Sequence, residues 1–148
     1  MFHPKRFCIT GTKILLLLCL IAWGHSSAHA ASFIVIANKS VVESTLTRAE
    51  LQGIYLGEKV KWGNRKHIKI AVLEEERTLK EFLQVILGKT PSQFDQHWVR
   101  MVTTGKASMP PAFTDAQQLI DFVAKTPNAI GFVPSGQAGD AVKTIAIK

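Results

Sequence analysis

The chain has 148 residues, 47% of them hydrophobic, and a net charge of +7. That length and composition suit one domain with a modest core and exclude repeat, collagen-like and low-complexity architectures. Both cysteines, Cys8 and Cys19, lie near the start, so the rest of the chain has no disulfide framework, thiol nucleophile or thiolate metal site.

Lys5, Arg6 and Lys13 form a basic opening, Ile14 to Trp23 an apolar run, and Ala28-His29-Ala30 a small-x-small cleavage site. That order predicts a secretory signal peptide over 1–30 and an exported, periplasmic domain over 31–148. A membrane anchor is the competing reading, but the apolar run is about half of the roughly 20 residues that span a bilayer. A lipoprotein signal at Cys19 would need a small residue where Leu18 stands. Cleavage removes both cysteines and three of the basic residues. The domain left behind is mildly basic, its densest cluster being Lys59, Lys61, Arg65, Lys66 and Lys69 around Trp62. Such a cluster could meet an anionic surface, but in an exported domain it reads as a solvated loop, and nucleic acid is not an expected partner.

Ser32 to Ala37 is apolar and β-branched, a buried strand ended by Asn38-Lys39-Ser40. A looser segment, Val41 to Leu46, follows. Thr47-Arg48-Ala49-Glu50 is a capping box, and Leu51, Ile54 and Tyr55 are the helical stripe behind it. Gly57 fits the left-handed position after that helix. A polar loop from Glu58 to Lys66 leads to a strand, Ile68 to Leu73. Glu74 to Thr78 then reads as a turn, and Leu79, Phe82, Leu83 and Ile86 as one face of a second helix ended by Gly88. Thr90-Pro91-Ser92-Gln93 starts a third helix with Phe94, Trp98 and Met101 on one face. Lys106 to Ala112, with Pro110-Pro111, is a loop. Thr114-Asp115-Ala116-Gln117 is a third box of the same form, opening a helix that Thr126-Pro127 ends. Ala129 to Val133 and Val142 to Ile147 are strands, separated by a glycine-containing loop. The order β-α-β-α-α-α-β-β predicts an α/β fold: a single three-layer-like domain with a small mixed sheet flanked by helices.

Catalytic patterns are missing from the sequence. His67 and His97 have no partner at metal-ligand spacing, and no nucleophile elbow, Walker loop or zinc-protease motif occurs. No cofactor is expected, and the chain does not read as an enzyme. The two histidines read as strand-edge and helix-surface residues, and Trp62 and Trp98 as packing residues. Two features remain. Ser135 to Gly139 could offer amides to an anion, or simply turn the chain into the last strand. Glu74-Glu75-Glu76 could bind a cation or an amine, or could stabilise a helix start through its dipole.

Three segments together carry a family resemblance. Leu46 to Lys59 followed by Trp62, the stretch Ile68 to Phe82, and Thr126-Pro127-Asn128-Ala129-Ile130-Gly131-Phe132-Val133 resemble, in order, segments of the phosphate-binding proteins of ABC importers. The resemblance implies the fold of one lobe of a type 2 periplasmic binding protein. It also implies a small oxyanion or other solute as ligand, and an ABC importer or a membrane sensor as partner. The family's full-length members hold an anion between two lobes, whereas 31–148 is about one lobe long. A second copy, as a homodimer, or another protein would supply the facing wall. Carried onto this sequence, the family's Ser-Gly-Thr-Thr anion loop falls on Glu76-Arg77-Thr78-Leu79. The expected ligand-binding residues are therefore Glu76, Arg77 and Thr78, with Asn38 and Ser40 closing the site from a neighbouring strand end. Only Thr78 keeps a matching hydroxyl, and Glu74, Glu75 and Glu76 supply the negative charge that the helix start attracts. That charge argues against phosphate. The alternative is a protein-interaction or sensor-accessory domain with no small-molecule ligand, presenting the Lys59–Lys69 loop or the Pro110-Pro111 loop.

Overall fold

A computed structural model describes residues 32–148. The signal-peptide expectation for 1–30 lies outside the described residues. The elements are β1 (Phe33–Ala37), β2 (Thr45–Leu46), α1 (Arg48–Tyr55), β3 (Lys69–Ile70), β4 (Val72–Leu73), α2 (Glu76–Phe82), α3 (Pro91–Thr103), β5 (Ala112–Phe113), α4 (Ala116–Lys125), β6 (Ala129–Pro134) and β7 (Lys143–Ile147). A π-helical segment, Leu83–Leu87, continues α2. The result is a mixed α/β domain.

The main sheet has the order β2-β7-β1-β6-β3. β1 is antiparallel to β6 and β7, while β2 and β3 run parallel to β7 and β6. Central β1 and β6 are almost wholly buried, so both read as continuous apolar runs. Gly131 lets α4 approach β6 closely: a methyl group there would lie 2.6 Å from Leu119 Cδ2.

The strand expected over Ile68 to Leu73 is one extended stretch serving two sheets. The Lys69 and Ala71 amides donate to Asn128 and Ile130, on the β6 side. Those of Val72 and Glu74 donate to Pro111 and Phe113, so β4 pairs in parallel with β5. In extended chain, groups an odd number of residues apart point opposite ways, and one stretch therefore feeds both neighbours. β5 and β2 lie in segments expected to be irregular; two residues are too few to show a period.

The caps follow the sequence closely at α1 and α3. Thr47 with Glu50, and Thr90 with Gln93, form reciprocal capping boxes, and Gly57 and Gly88 adopt positive φ after their helices. The third box is corrected. Asp115, not Thr114, caps α4 by accepting from the Gln118 amide at 3.0 Å. α2 is corrected as well. It starts at Glu76, so the expected turn residues Glu76, Arg77 and Thr78 form its first turn.

The core is centred on Phe82. Its ring stacks on Phe132 at 3.9 Å between centroids and meets Tyr55 and Phe33 edge-on. Tyr55 is fully buried and donates its hydroxyl to the Ala71 carbonyl, and burial pushes its pKa well above the ordinary range. Trp62 is buried too, and its indole N–H donates to Asn128 at 3.0 Å, pinning the 58–67 loop to the turn before β6.

Lys59, beyond the end of α1, pairs with Glu50 of its first turn at 2.7 Å. That bond, with the Thr47 amide, pulls the Glu50 carboxyl from its ordinary 4.5 to about 2. The folded form therefore binds this proton less readily than the unfolded chain. The contribution is complete above pH 4.5 and is lost as pH falls toward 2. Urea midpoints measured against pH should fall through that window, and Glu50→Gln should flatten the fall. An unchanged pH profile in Glu50→Gln would contradict this. The pair is partly exposed, so its effect at neutral pH is small.

Candidate functional site

β4 and β5 run parallel, and each leads directly into a helix. The starts of α2 and α4 therefore lie side by side at the carboxyl ends of two parallel strands, where open α/β sheets form ligand crevices. Because β6 is antiparallel to β1, the end of β6 lies beside Ser32 at the start of β1. These ends enclose a cleft of about 580 Å³ lined by Ser32, Glu75, Arg77, Thr78, Thr114, Asp115, Ser135 and Gln137, among others.

The first turn of α2 already holds an anion, and it is the chain's own. The Glu75 carboxylate accepts from the amides of Arg77 at 3.2 Å and Thr78 at 3.0 Å, and also from the Thr78 hydroxyl. The Thr78 hydroxyl, then its amide, then Arg77 hold the Glu75 carboxyl below its ordinary range. At the start of α4, Asp115 accepts from one amide, that of Gln118. Helix starts attract negative charge through their unpaired amides. Here both are met by internal carboxylates. Across the cleft, the Ser135 amide donates to Ser32 and the Gln137 amide to Pro134, so two amides of the glycine loop are also used internally. Both donors of Ser32, amide and hydroxyl, go to the Glu81 carboxylate.

Of the residues expected at the site, Arg77 and Thr78 line the cleft, and Glu76 is exposed beside it in the same turn. Asn38 and Ser40 are not brought there. They follow the far end of β1, and both are structural. The buried Asn38 side chain donates to the Val123 and Ala124 carbonyls at the end of α4 and accepts from the Ser40 amide. Ser40 accepts from the Asn128 amide. The antiparallel pairing of β1 with β6 is the reason, since it puts the start of β1, not its end, at the cleft. Glu75 is the residue whose carboxylate occupies the start of α2, and its signal was present: a carboxylate just before the amides of Arg77 and Thr78. Three consecutive glutamates hide which one is the cap.

His97 is half-buried and bonds Leu56 O at 2.9 Å, and exposed His67 lies opposite Lys61. No group of three or more metal-ligating side chains comes together among the described residues. No helix among them is long and apolar enough to cross a membrane.

Paired helix starts above parallel strands, beneath a curled mixed sheet, define one lobe of a binding-protein fold. Solved structures agree. An ABC-type phosphate transport receptor from Vibrio cholerae superposes with a TM-score of 0.59 at 18% identity, over 78% of this chain and 46% of that one. PstS from Borrelia burgdorferi gives 0.62 at 15%, over 79% and 47%. A Clostridium perfringens protein assigned as a phosphate ABC transporter substrate-binding protein, solved with bound phosphate, gives 0.61 at 16%, over 78% and 44%. The chain thus spans less than half the length of these neighbours. No family model and no curated protein matches it in sequence.

Proposed function

We propose that the protein is an exported, periplasmic, non-enzymatic solute-binding-like module whose cleft at the start of α2 does not take phosphate. The observation that carries this reading is the Glu75 carboxylate on the amides and hydroxyl that an oxyanion would need. The charge balance supports it. Glu75 and Asp115 stand against Arg77 alone, with Glu74 and Glu76 exposed alongside. A multiply charged oxyanion is repelled there, whereas an uncharged polar or cationic solute is not. Arg77 and Thr78 would contact the solute from α2. The facing wall would come from a second copy or from a partner such as an importer or a membrane sensor.

Thermal melting of the protein purified after export tests this reading. Phosphate and sulfate should leave the melting temperature unchanged. An amine, amino acid or sugar that binds should raise stability by about 2.7 kcal/mol at 100 times its dissociation constant. A phosphate shift that Arg77→Ala or Thr78→Ala abolishes would overturn the exclusion of phosphate. The internal use of the cleft's donors favours a second reading, a protein-interaction or sensor-accessory domain with no small ligand. No shift with any solute would support that reading and sink the first.

A further inference from the structure

A second cavity of about 650 Å³ shares no lining residue with the cleft. One side is the loop from Lys59 to Lys69, and the other is the loop from Lys106 to Pro111. Two segments far apart in sequence thus face each other across one groove. Ile54, Trp98 and Phe122 give it an apolar lining, and Val60 and Met109 stand exposed on opposite loops. Lys59, Lys69 and Lys106 line it as well, and no Asp or Glu does. Trp98 adds a buried indole N–H that has no acceptor among the described residues.

Both loops are held in place before any partner arrives. Trp62 ties the first to Asn128, Glu43 accepts from the Gly63 amide, and Lys61 pairs with His67. The second is fastened where the Val72 amide donates to Pro111 and the Lys106 amide to Met101. Preformed walls lower the ordering cost of binding.

We propose that this groove docks an acidic segment of a partner protein, with an apolar side chain on its floor and carboxylates against Lys69 and Lys106. Charge complementarity identifies the occupant: no acid lines the groove, Lys59 is already paired with Glu50, and Lys69 and Lys106 have no ion pair among the described residues. The apolar floor does not suit a hydrated oxyanion, whose solvation it could not replace. A flat bilayer surface would touch the exposed loop tips and leave the recessed floor unfilled. The inference is independent of the solute reading, since the groove and the cleft have no residue in common.

A displayed library of short peptides, with a central leucine or aromatic residue among Asp and Glu, tests this on the protein purified after export. A matched library has Asn and Gln in place of the acids. The acidic library should be enriched and the neutral one should not. The selected peptide should lose tenfold or more in affinity in Lys69→Glu and in Lys106→Glu, two exposed positions where folding is retained. Met109→Asp should weaken it independently, and Arg77→Ala should leave it unchanged. Enrichment of neither library, equal enrichment of both, or binding indifferent to the lysine reversals would overturn the proposal. So would lysine-dependent capture by phosphatidylglycerol vesicles with no peptide selected.

Discussion

Phe82→Ala is expected to destabilise the fold by about 3–5 kcal/mol, the range for removing a fully buried aromatic side chain. Among the described residues, Phe82 is the one ring in contact with Phe33, Tyr55 and Phe132, and so it joins β1, α1 and β6 to α2. The surrounding groups cannot close the space without moving three elements at once, which places the loss high in that range. Val85 lies in the π-helical continuation of the same helix but is 41% exposed, so Val85→Ala should change little. Urea unfolding of both variants would check this. A Phe82→Ala midpoint close to that of Val85→Ala would show that the aromatic cluster is not the centre of the core.

Asn38→Ala is expected to cost about 2–3 kcal/mol and to leave any solute binding unchanged. The side chain makes bonds of 2.8, 2.8 and 2.9 Å to Val123 O, Ala124 O and the Ser40 amide. Two of those partners are carbonyls at the end of α4, where the helix no longer supplies donors. Truncation leaves buried polar groups unpaired at roughly 1–3 kcal/mol each, discounted where water can reach them. Asn38→Asp should be no better, since it keeps the acceptor for Ser40 but sets a negative charge against two carbonyl oxygens. Denaturation midpoints give the stability change. An Asn38→Ala protein of native stability would contradict the structural role, and one that loses solute binding at full stability would return Asn38 to a site.

The contrast between these residues explains what could be read from the sequence. Phe82 was legible because it sits on a helical apolar face, and periodicity reports burial directly. The boxes at Thr47 and Thr90 were legible because a cap is a local contract among four residues. Asn38 was misplaced because its partners lie 85 and 86 residues away, and only the antiparallel pairing of β1 with β6 decides which strand end meets the cleft. Thr114 and Asp115 each stand three residues before a glutamine, so local pattern permits either cap. The parallel pairing of β5 with β4, invisible as periodicity, fixes where the chain turns into α4. The π-helical segment escaped for a similar reason. It changes hydrogen-bond register over Leu83–Leu87 while leaving Leu83, Ile86 and Leu87 buried.

The cleft was half legible. Acidic charge at the start of α2 was apparent, together with its conflict with an oxyanion. What remained hidden was the geometry: one glutamate, Glu75, folds back onto the amides of its own helix. A fold like that of phosphate-binding proteins is thus compatible with the proposed exclusion of phosphate. The backbone keeps the fold of the lobe, while the Glu75 side chain occupies the amides and hydroxyl of the first turn of α2.

Calorimetric titration with phosphate of the wild type and of Glu75→Ala tests this account most directly. The substitution removes one negative charge and frees two amides and the Thr78 hydroxyl beside Arg77, at a capping cost of about 0.5–2 kcal/mol in stability. The wild type should show no saturable binding, and Glu75→Ala should acquire it, weakly. Saturable phosphate binding by the wild type, no weaker than that of Glu75→Ala, would contradict the claim that Glu75 closes the site.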